Sequence, residues 1–254
     1  YPKVENLRVF DFIRQKKDEG VVKNTGFSFH GSPELLEEIL NNHPDIDVVQ
    51  LQINYLDWED STIQSRRCYE IARAHNKSII VMEPIKSGGL AIIPKDAEDL
   101  MQAVRPDDTP ASWALRFVAG LEGIFMVLSG MNALEQVRDN IRTFDSLTPL
   151  PLDEHAILEQ VVKSVRRNCA AACTSCRYCI EGCPKDIQIP VLLSIYNEMK
   201  RYGDITFPRV HYQHAVYGHG KAGDCIECGE CEQICPQHLP ISQIMKELAV
   251  KFDT

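Results

Sequence analysis

Two stretches near the end of the chain carry the same pattern: CTSCRYCIEGCP at residues 173–184 and CIECGECEQICP at residues 225–236. Each reads C-x2-C-x2-C-x3-C-P, the cysteine spacing that binds a pair of four-iron, four-sulfur clusters. Three thiolates on successive short turns can face one cluster, while the proline directs the chain away so that the fourth cysteine reaches the other. We therefore expect crossed ligand sets: Cys173, Cys176, Cys179 and Cys235 for one cluster, and Cys225, Cys228, Cys231 and Cys183 for the other.

Zinc and disulfides are the alternative uses of these cysteines. Zinc sites usually join two separated cysteine pairs and have no need of the closing C-x3-C-P or of its repetition. Disulfides need an oxidising compartment, whereas the sequence shows neither a signal peptide nor a transmembrane stretch, so we expect a cytoplasmic protein. Cys68 and Cys169 lie outside both runs, and we interpret them as packing residues.

Composition and charge narrow the choice of partners. The chain has 254 residues, of which 44% are hydrophobic and 25% charged, as is ordinary for a globular protein. Its formal net charge of −9 argues against nucleic acid, because phosphate binding needs a basic face. We expect neither nucleic acid nor a membrane as a partner.

The sequence before the cysteine runs alternates apolar strand patterns with amphipathic helical patterns, as βα units around a parallel sheet do. The predicted strands are Thr25–Phe29, Val48–Ile53, Ser78–Met82 and Ile124–Leu128. The predicted helices are Val4–Glu19, Pro33–Leu40 with Ser32 as N-cap, Ser61–His75, Ala111–Ala119 and Leu134–Phe144. Each of the four strands is thus followed by a helix.

Four βα units, about 145 residues, are too few to close an eight-stranded barrel, which typically takes about 250 residues. An open four-stranded sheet would leave apolar strand edges bare. Since the chain begins at Tyr1 rather than methionine, we expect the first four units to precede it. A separate doubly wound sheet is the alternative, but no Gly-x-Gly-x-x-Gly turn follows any strand.

The fold expected is therefore α/β: strands five to eight of a (β/α)8 TIM barrel, followed by a mainly α-helical ferredoxin-type iron–sulfur domain. Residues 1–148 would form the half-barrel, and residues 149–254 a helical linker with the two-cluster domain. In the second region the patterns predict helices at Asp153–Arg167, Pro190–Tyr202 and Ile241–Phe252, and an aromatic-rich connection at Thr206–Gly220.

The strand-end segments resemble a known family. GFSFHGS at 26–32, VVQLQINYLD at 48–57, VMEPIKSGGLA at 81–91 and VLSGMNALEQVRDNI at 127–141 look like barrel strands five to eight of the aldo/keto reductases. The tail is similar to that of the subgroup in which such a barrel is fused to a ferredoxin-type domain with two [4Fe–4S] clusters. The resemblance covers essentially the whole chain.

This resemblance implies a nicotinamide cofactor, usually NADP but also NAD, across the carboxyl ends of the strands. By position, the nicotinamide carboxamide would contact Ser28 and Gln52, the pyrophosphate Lys86, Ser87, Gly88, Gly89 and Leu90, and the adenosine end Gly130, Met131, Asn132, Gln136 and Asn140. The alternative is that the polar residues bond loop backbone and that the Gly-Gly pair forms a plain turn.

Two positions depart from the pattern of the family. Gln136 stands where relatives often carry arginine for the ribose phosphate, and Met82 replaces the aromatic residue that stacks on nicotinamide. The family's catalytic tyrosine, aspartate, lysine and histidine would lie upstream of Tyr1, so the catalytic residues are unknown and this chain alone is expected to be inactive.

Two functions remain open. The resemblance implies an oxidoreductase that couples a nicotinamide-dependent reaction of a small-molecule substrate to electron transfer through two [4Fe–4S] clusters, with a ferredoxin-like protein as candidate partner. The alternative is a non-catalytic, ferredoxin-like electron carrier or redox-complex subunit that uses the barrel as a scaffold.

Overall fold

The computed structural model describes residues 1–60, 63–202 and 206–253. The chain forms two compact units. The sheet unit comprises Tyr1–Ile92 and Arg105–His155, and the helical unit comprises Ile93–Val104 and Ala156–Thr254. The domain boundary expected after residue 148 stays a prediction.

The sheet unit contains a four-stranded, entirely parallel sheet in the order β1-β2-β3-β4. The strands are β1 Gly26–Phe29, β2 Val48–Gln52, β3 Ser78–Met82 and β4 Ile124–Val127. Gly26 lies opposite Val48, Val48 opposite Ser78, and Ile79 opposite Ile124. The four predicted strands are confirmed and differ only at end residues.

Burial explains why these segments are strands. Val49 and Leu51 of β2 and Ile79 and Val81 of β3 are at most 2% exposed. These four side chains lie on one face of the two strands, because residues two apart in a strand point to the same side, and that face is buried. The edge strand β4 differs, because its Phe125 is 66% exposed.

The helices of the sheet unit are α1 Pro2–Asn6, α2 Val9–Asp18, α3 Pro33–Asn42, α4 Ser65–Ala74, α6 Pro110–Ala119 and α7 Leu134–Asp145. The single helix expected at Val4–Glu19 was wrong, since Arg8 adopts a left-handed φ of 52° that separates α1 from α2. The N-cap was right: Ser32 Oγ accepts a hydrogen bond from the Leu35 N–H. Residues 61 and 62 of the predicted Ser61–His75 helix lie outside the described residues.

The helical unit consists of α5 Lys95–Val104, most of α8 Leu152–Asn168, α9 Tyr178–Glu181, α10 Ile189–Tyr202, α11 Thr206–Val216, α12 Glu230–Gln233 and α13 Ile241–Phe252, with a 3₁₀ turn at Ala222–Asp224. Helix α5 was not predicted. Leu192, Met245 and Leu248 are fully buried at the centre of this unit. None of the described helices has the length and apolarity needed to cross a bilayer.

The expected connection at Thr206–Gly220 was wrong, because its first part is helix α11. Tyr212 explains the difference. Its ring stacks on Phe252 with centroids 5.0 Å apart, and its hydroxyl donates to Asp253 Oδ1 at 2.6 Å and accepts from the Ala222 N–H at 2.7 Å. The tyrosine is 2% exposed, so tertiary burial rather than local pattern holds this segment helical.

A buried charge network fixes the first turn of α8 within the sheet unit. Glu154 is 3% exposed and Arg116 is also 3% exposed. Arg116 Nη1 lies 3.2 Å from Glu154 Oε2, and Arg105 Nε contacts the other carboxylate oxygen. Arg116 Nε also donates to the Thr148 carbonyl at 3.2 Å. Each charge is therefore compensated by an opposite charge or a hydrogen bond.

Removing Glu154 takes away the nearer of the two carboxylates beside Arg116, since Asp108 Oδ2 stays 3.5 Å from Arg116 Nη1. We expect Glu154→Ala to lower the free energy of unfolding by about 2–3 kcal/mol, because buried Arg116 keeps only this more exposed counter-ion. The midpoint of urea unfolding, followed by circular dichroism, measures the change. Asp153→Ala is the matched control: it removes an exposed acid from the same helical turn, and its cost should stay below about 1 kcal/mol. Equal losses in the two variants would contradict the role assigned to Glu154.

Candidate functional site

The helical unit contains two cavities that are lined by cysteines. One, here called the Cys173 cavity, is lined by Cys173, Cys176, Cys179 and Cys235. The other, here called the Cys225 cavity, is lined by Cys183, Cys225, Cys228 and Cys231. The structure thus brings together the same two crossed sets that the spacing predicts.

Backbone conformation explains how closely spaced cysteines face one cavity. Left-handed residues separate the cysteines in each run: Ser175 and Arg177 have φ of 55° and 68°, and Glu227 and Gly229 have φ of 58° and 76°. A left-handed residue reverses the local direction of the chain, which lets neighbouring side chains point to the same side. The thiols can therefore converge without a long loop.

The two cavities are related by an internal repeat of 52 positions. Every residue that lines the Cys173 cavity has a counterpart 52 positions away that lines the Cys225 cavity, as Leu193 and Met245 show. The left-handed residues repeat in the same way, and the third such pair is Asp186 and His238. The two halves of the site are therefore structural duplicates.

The donor set suits an iron–sulfur cluster better than a single metal ion. Within the described residues, no three His, Cys, Asp or Glu side chains lie close enough together to hold one ion. Burial raises the pKa of the Cys179 thiol to about 12 and that of Cys231 to about 11, and neighbouring cysteines add to both shifts. Cysteine binds metal as thiolate, so a bound group must supply compensating positive charge. Four soft sulfur donors around a cavity fit a [4Fe–4S] cluster in this respect.

In the sheet unit, an open cleft lies at the carboxyl ends of β3 and β4 and beside the start of α7. Among the predicted dinucleotide residues, those that line it are Ser87, Gly88, Gly130, Met131, Asn132, Gln136 and Asn140. Sequence reasoning missed Glu83, Ser129 and Asp139, which line the same cleft. The helical spacing from Gln136 to Asp139 could have indicated Asp139, because residues three apart share a helix face.

Side-chain hydrogen bonds hold the turn before α7. Gln136 Oε1 accepts from the backbone N–H groups of Asn132 at 2.8 Å and Ala133 at 3.3 Å, and Asn140 Nδ2 donates to Ser129 Oγ at 2.9 Å. These contacts hold the turn before the helix, whose N-terminal N–H groups favour negative charge. No atom lies within 4 Å of where a Cβ on Gly130 would be, so a ligand can approach its backbone closely.

The loop after β3 is strained. Glu83, Lys86 and Ser87 have left-handed φ values of 58°, 45° and 50°, and Gly88 follows at 88°. Non-glycine residues rarely adopt this conformation without compensating contacts. Here Asn54 Nδ2 donates to the Glu83 carbonyl at 3.0 Å, and Ser87 Oγ donates to the Glu83 carboxylate at 2.9 Å.

The remaining predicted dinucleotide residues lie elsewhere. Lys86 Nζ contacts both oxygens of Asp57 at 2.6 and 2.9 Å, and Gln52 Nε2 donates to Asp57 Oδ2 at 2.7 Å. Lys86 is 8% exposed and Asp57 is 2% exposed, so this is a buried ion pair. Leu90 is also buried, the Gly89 N–H bonds the Lys86 carbonyl, and Ser28 is exposed on the edge strand β1.

Comparisons with known proteins find a matching family model for each part of the chain. Residues 1–163 match the model of the aldo/keto reductase family, and residues 172–239 match that of the 4Fe-4S dicluster domain. Alpha subunits 1 of the acetyl-CoA decarbonylase/synthase complexes of Methanosarcina acetivorans and Methanosarcina barkeri are 28% identical over 112 residues and 26% identical over 111 residues. Each match covers 44% of this chain but only 11% of the relative, so the chain spans a small part of these proteins.

Solved structures of aldo-keto reductases are also similar in part. The holo form of an enzyme from Bacillus halodurans is 21% identical with a TM-score of 0.48, over 58% of this chain and 53% of that one. An enzyme from Klebsiella pneumoniae in complex with NADPH is 16% identical with a TM-score of 0.47, over 59% and 51%. Because the first family model spans well over half of the sequence, the chain belongs to the aldo/keto reductase family and carries a 4Fe-4S dicluster domain after the reductase region.

Proposed function

We propose that the protein is an oxidoreductase that couples a nicotinamide-dependent reaction of a small molecule to electron transfer through two [4Fe–4S] clusters. The observation that carries the proposal is the convergence of each crossed cysteine set on one cavity, in a chain of the aldo/keto reductase family. Nicotinamide supplies a hydride, whereas the clusters supply single-electron transfer. A protein with both groups can exchange electron pairs for single electrons.

The cysteines are the proposed cluster ligands. Cys173, Cys176, Cys179 and Cys235 would hold one cluster, and Cys183, Cys225, Cys228 and Cys231 the other. Thiolates of this kind persist in a reducing compartment, which favours the cytoplasm. A single-electron protein such as a ferredoxin is the proposed external partner, and the net charge of −9 disfavours nucleic acid.

The cleft at β3, β4 and α7 is the proposed dinucleotide site, for NADP or NAD. Gly130 and the start of α7 would receive phosphate through backbone N–H groups, and Ser87 and Gly88 would line the pyrophosphate. Gln136 and Asn140 would shape the adenosine end. Lys86 and Gln52 would act indirectly, because their contacts with Asp57 hold the strained loop in place.

The sheet is proposed to be strands five to eight of an eight-stranded barrel. Its exposed apolar edge supports this, because Phe125, Met126 and Leu128 are 66%, 46% and 39% exposed in and just after β4. Apolar residues on an unpaired strand edge favour pairing with a further strand. A closed barrel would cover them and would supply the remaining strand-end loops.

A second candidate function is a non-catalytic electron carrier or a subunit of a larger redox complex. Two observations favour it. Lys86 and Gln52 are engaged with a buried carboxylate, and the curated relatives are subunits of a complex. Dinucleotide binding separates the two functions.

The crossed ligand sets can be tested with paired variants. Removing Cys176 and Cys235 takes two ligands from one cavity, so we expect the other cluster to survive with about half of the iron and an unchanged paramagnetic resonance signal. Removing Cys176 and Cys183 takes one ligand from each cavity, so neither cluster should keep its native signal. Both double alanine variants lose two thiols, so each controls for the other. If instead the variant without Cys176 and Cys183 kept one native signal and the variant without Cys176 and Cys235 kept neither, each motif would bind its own cluster.

The proposed coupling predicts that reduced dinucleotide reduces the clusters. Anaerobic addition of NADPH or NADH to the loaded, full-length protein should bleach the cluster absorbance near the visible maximum. Absence of both binding and bleaching would reject the oxidoreductase function and favour the carrier.

Gln136→Glu tests where the dinucleotide binds. A carboxylate keeps the acceptor role toward Asn132 and Ala133, but adds negative charge where phosphate is proposed to bind. We expect about tenfold weaker binding by titration calorimetry, since like charges a few ångströms apart repel by about 1 kcal/mol or more. Asn24→Asp is the matched control, because it adds the same charge just before β1, at the opposite end of the strands. Equal weakening in both variants would exclude this cleft.

The Lys86–Asp57 pair predicts a specific pattern of stability. Lys86→Met should lower the free energy of unfolding by about 3–5 kcal/mol, because Asp57 stays buried without its cation. Adding Asp57→Asn should recover a large part of the loss, since the buried charge is then gone. Urea unfolding of the two single variants and the double variant measures this coupling. If Lys86→Met weakened dinucleotide binding with no loss of stability, the lysine would contact the cofactor instead.

A further inference from the structure

The two cysteine-lined cavities share their geometry but differ in the polar groups around them. At positions 52 apart, Thr174 of the Cys173 cavity corresponds to Ile226 of the Cys225 cavity, and Arg177 corresponds to Gly229. Thr174 is 6% exposed, whereas Ile226 is 57% exposed. At these two positions the Cys173 cavity has a hydroxyl-bearing and a basic residue where its duplicate has an apolar residue and a glycine. At two other positions the relation is reversed, because Pro190 and Gln237 of the Cys173 cavity correspond to Ser242 and Lys185 of the Cys225 cavity.

The acidic residues are concentrated in the cysteine run of the Cys225 cavity. Residues 173–183 contain Arg177 and Glu181, which cancel, whereas residues 225–235 contain Glu227, Glu230 and Glu232 with no basic residue. Nearby lysines offset this only in part. Lys246 forms an ion pair with Glu227 at 2.7 Å, and Lys185 lines the Cys225 cavity, so the three carboxylates outnumber the two lysines.

The two remaining carboxylates lie against the wall of the Cys225 cavity. Glu232 Oε1 accepts from the backbone N–H of Ser242 at 2.7 Å, and Ser242 lines that cavity. Glu230 Oε2 lies 3.7 Å from where a Cβ on Gly182 would be, and Gly182 lines the same cavity. Both carboxylates therefore lie beside residues that line the Cys225 cavity.

We infer that the two sites differ in reduction potential, and that Arg177 and Thr174 give the Cys173 site the higher one while Glu230 and Glu232 lower that of the Cys225 site. The inference rests on the proposed cluster binding. An added electron makes a cluster more negative, so nearby cations and hydrogen-bond donors stabilise the reduced form and carboxylates destabilise it. The first electron therefore resides at the Cys173 site.

The expected size follows from Coulomb's law. A unit charge about 10 Å away, in a medium with an effective dielectric constant of about 20, changes such an equilibrium by about tenfold. For a one-electron couple, tenfold corresponds to about 59 mV. Because charges of opposite sign act at the two sites, we expect the reduction equilibria of the two clusters to differ by at least about tenfold.

The test is an anaerobic redox titration of the loaded, full-length protein with dithionite, followed by paramagnetic resonance. Each step transfers one electron to one cluster from dithionite, whose S–S bond breaks as it is oxidised to sulfite, and no bond in the protein is formed or broken. The native protein should titrate in two steps. Arg177→Gln should lower the potential of the upper step, with up to about a tenfold change in its reduction equilibrium. Glu230→Gln should raise the potential of the lower step by a similar factor in its equilibrium. Glu159→Gln, an exposed acid on α8, is the matched control and should move neither step.

The outcomes separate this inference from the proposed function. If iron and sulfide content shows fewer than two clusters, the proposed function fails and the inference with it. If two clusters are present but Arg177→Gln shifts the lower step, or Glu230→Gln the upper step, the assignment of the sites is overturned alone. A single step in the native protein that both variants shift equally also overturns it.

Discussion

Four thiols can surround one cavity only if the chain reverses within two residues between them, and this constraint organises the helical unit. The reversal is supplied by left-handed residues such as Ser175 and Glu227. Because the fourth thiol of each cavity comes from the other run, the two halves depend on each other. Their association brings Gly220 beside the Lys185 carbonyl, so closely that a Cβ at this position would be 2.0 Å from that oxygen. Only glycine fits there.

Left-handed backbone conformations also shape the cleft of the sheet unit. A left-handed loop after β3 presents Ser87 and Gly88, and buried polar contacts hold it in that conformation. Asn54, which is fully buried, bonds both the Glu83 carbonyl and the Asp57 carboxylate. The strain of the loop and the charge of Asp57 are thus compensated by one network. A loop held in this way keeps its shape without a ligand, which lowers the entropic cost of binding one.

Sequence patterns predicted the elements whose signals are local. The recurring apolar residues of β2 and β3 and the cap at Ser32 are signals carried by neighbouring residues. The crossed cysteine sets were predictable because their spacing alone restricts the turns. Other features depend on distant contacts. Helix α11 is held by the burial of Tyr212 against Phe252, and the contacts of Lys86 depend on Asp57, 29 positions away in the chain. The break at Arg8 has no signal in composition, since it is neither glycine nor asparagine.

The internal repeat shows which features the fold constrains and which it leaves free. The counterparts that pack beneath the thiols stay apolar, as Leu193 and Met245 or Ile189 and Ile241 do. Packing at native density tolerates exchanges of similar volume and polarity, so these positions can change little. Between the cysteines, Arg177, Tyr178 and Glu230 are exposed, and there Arg177 corresponds to Gly229 and Tyr178 to Glu230. Charge can therefore diverge between the duplicated sites while the ligand geometry stays the same, so one structural design can yield two electronically different sites.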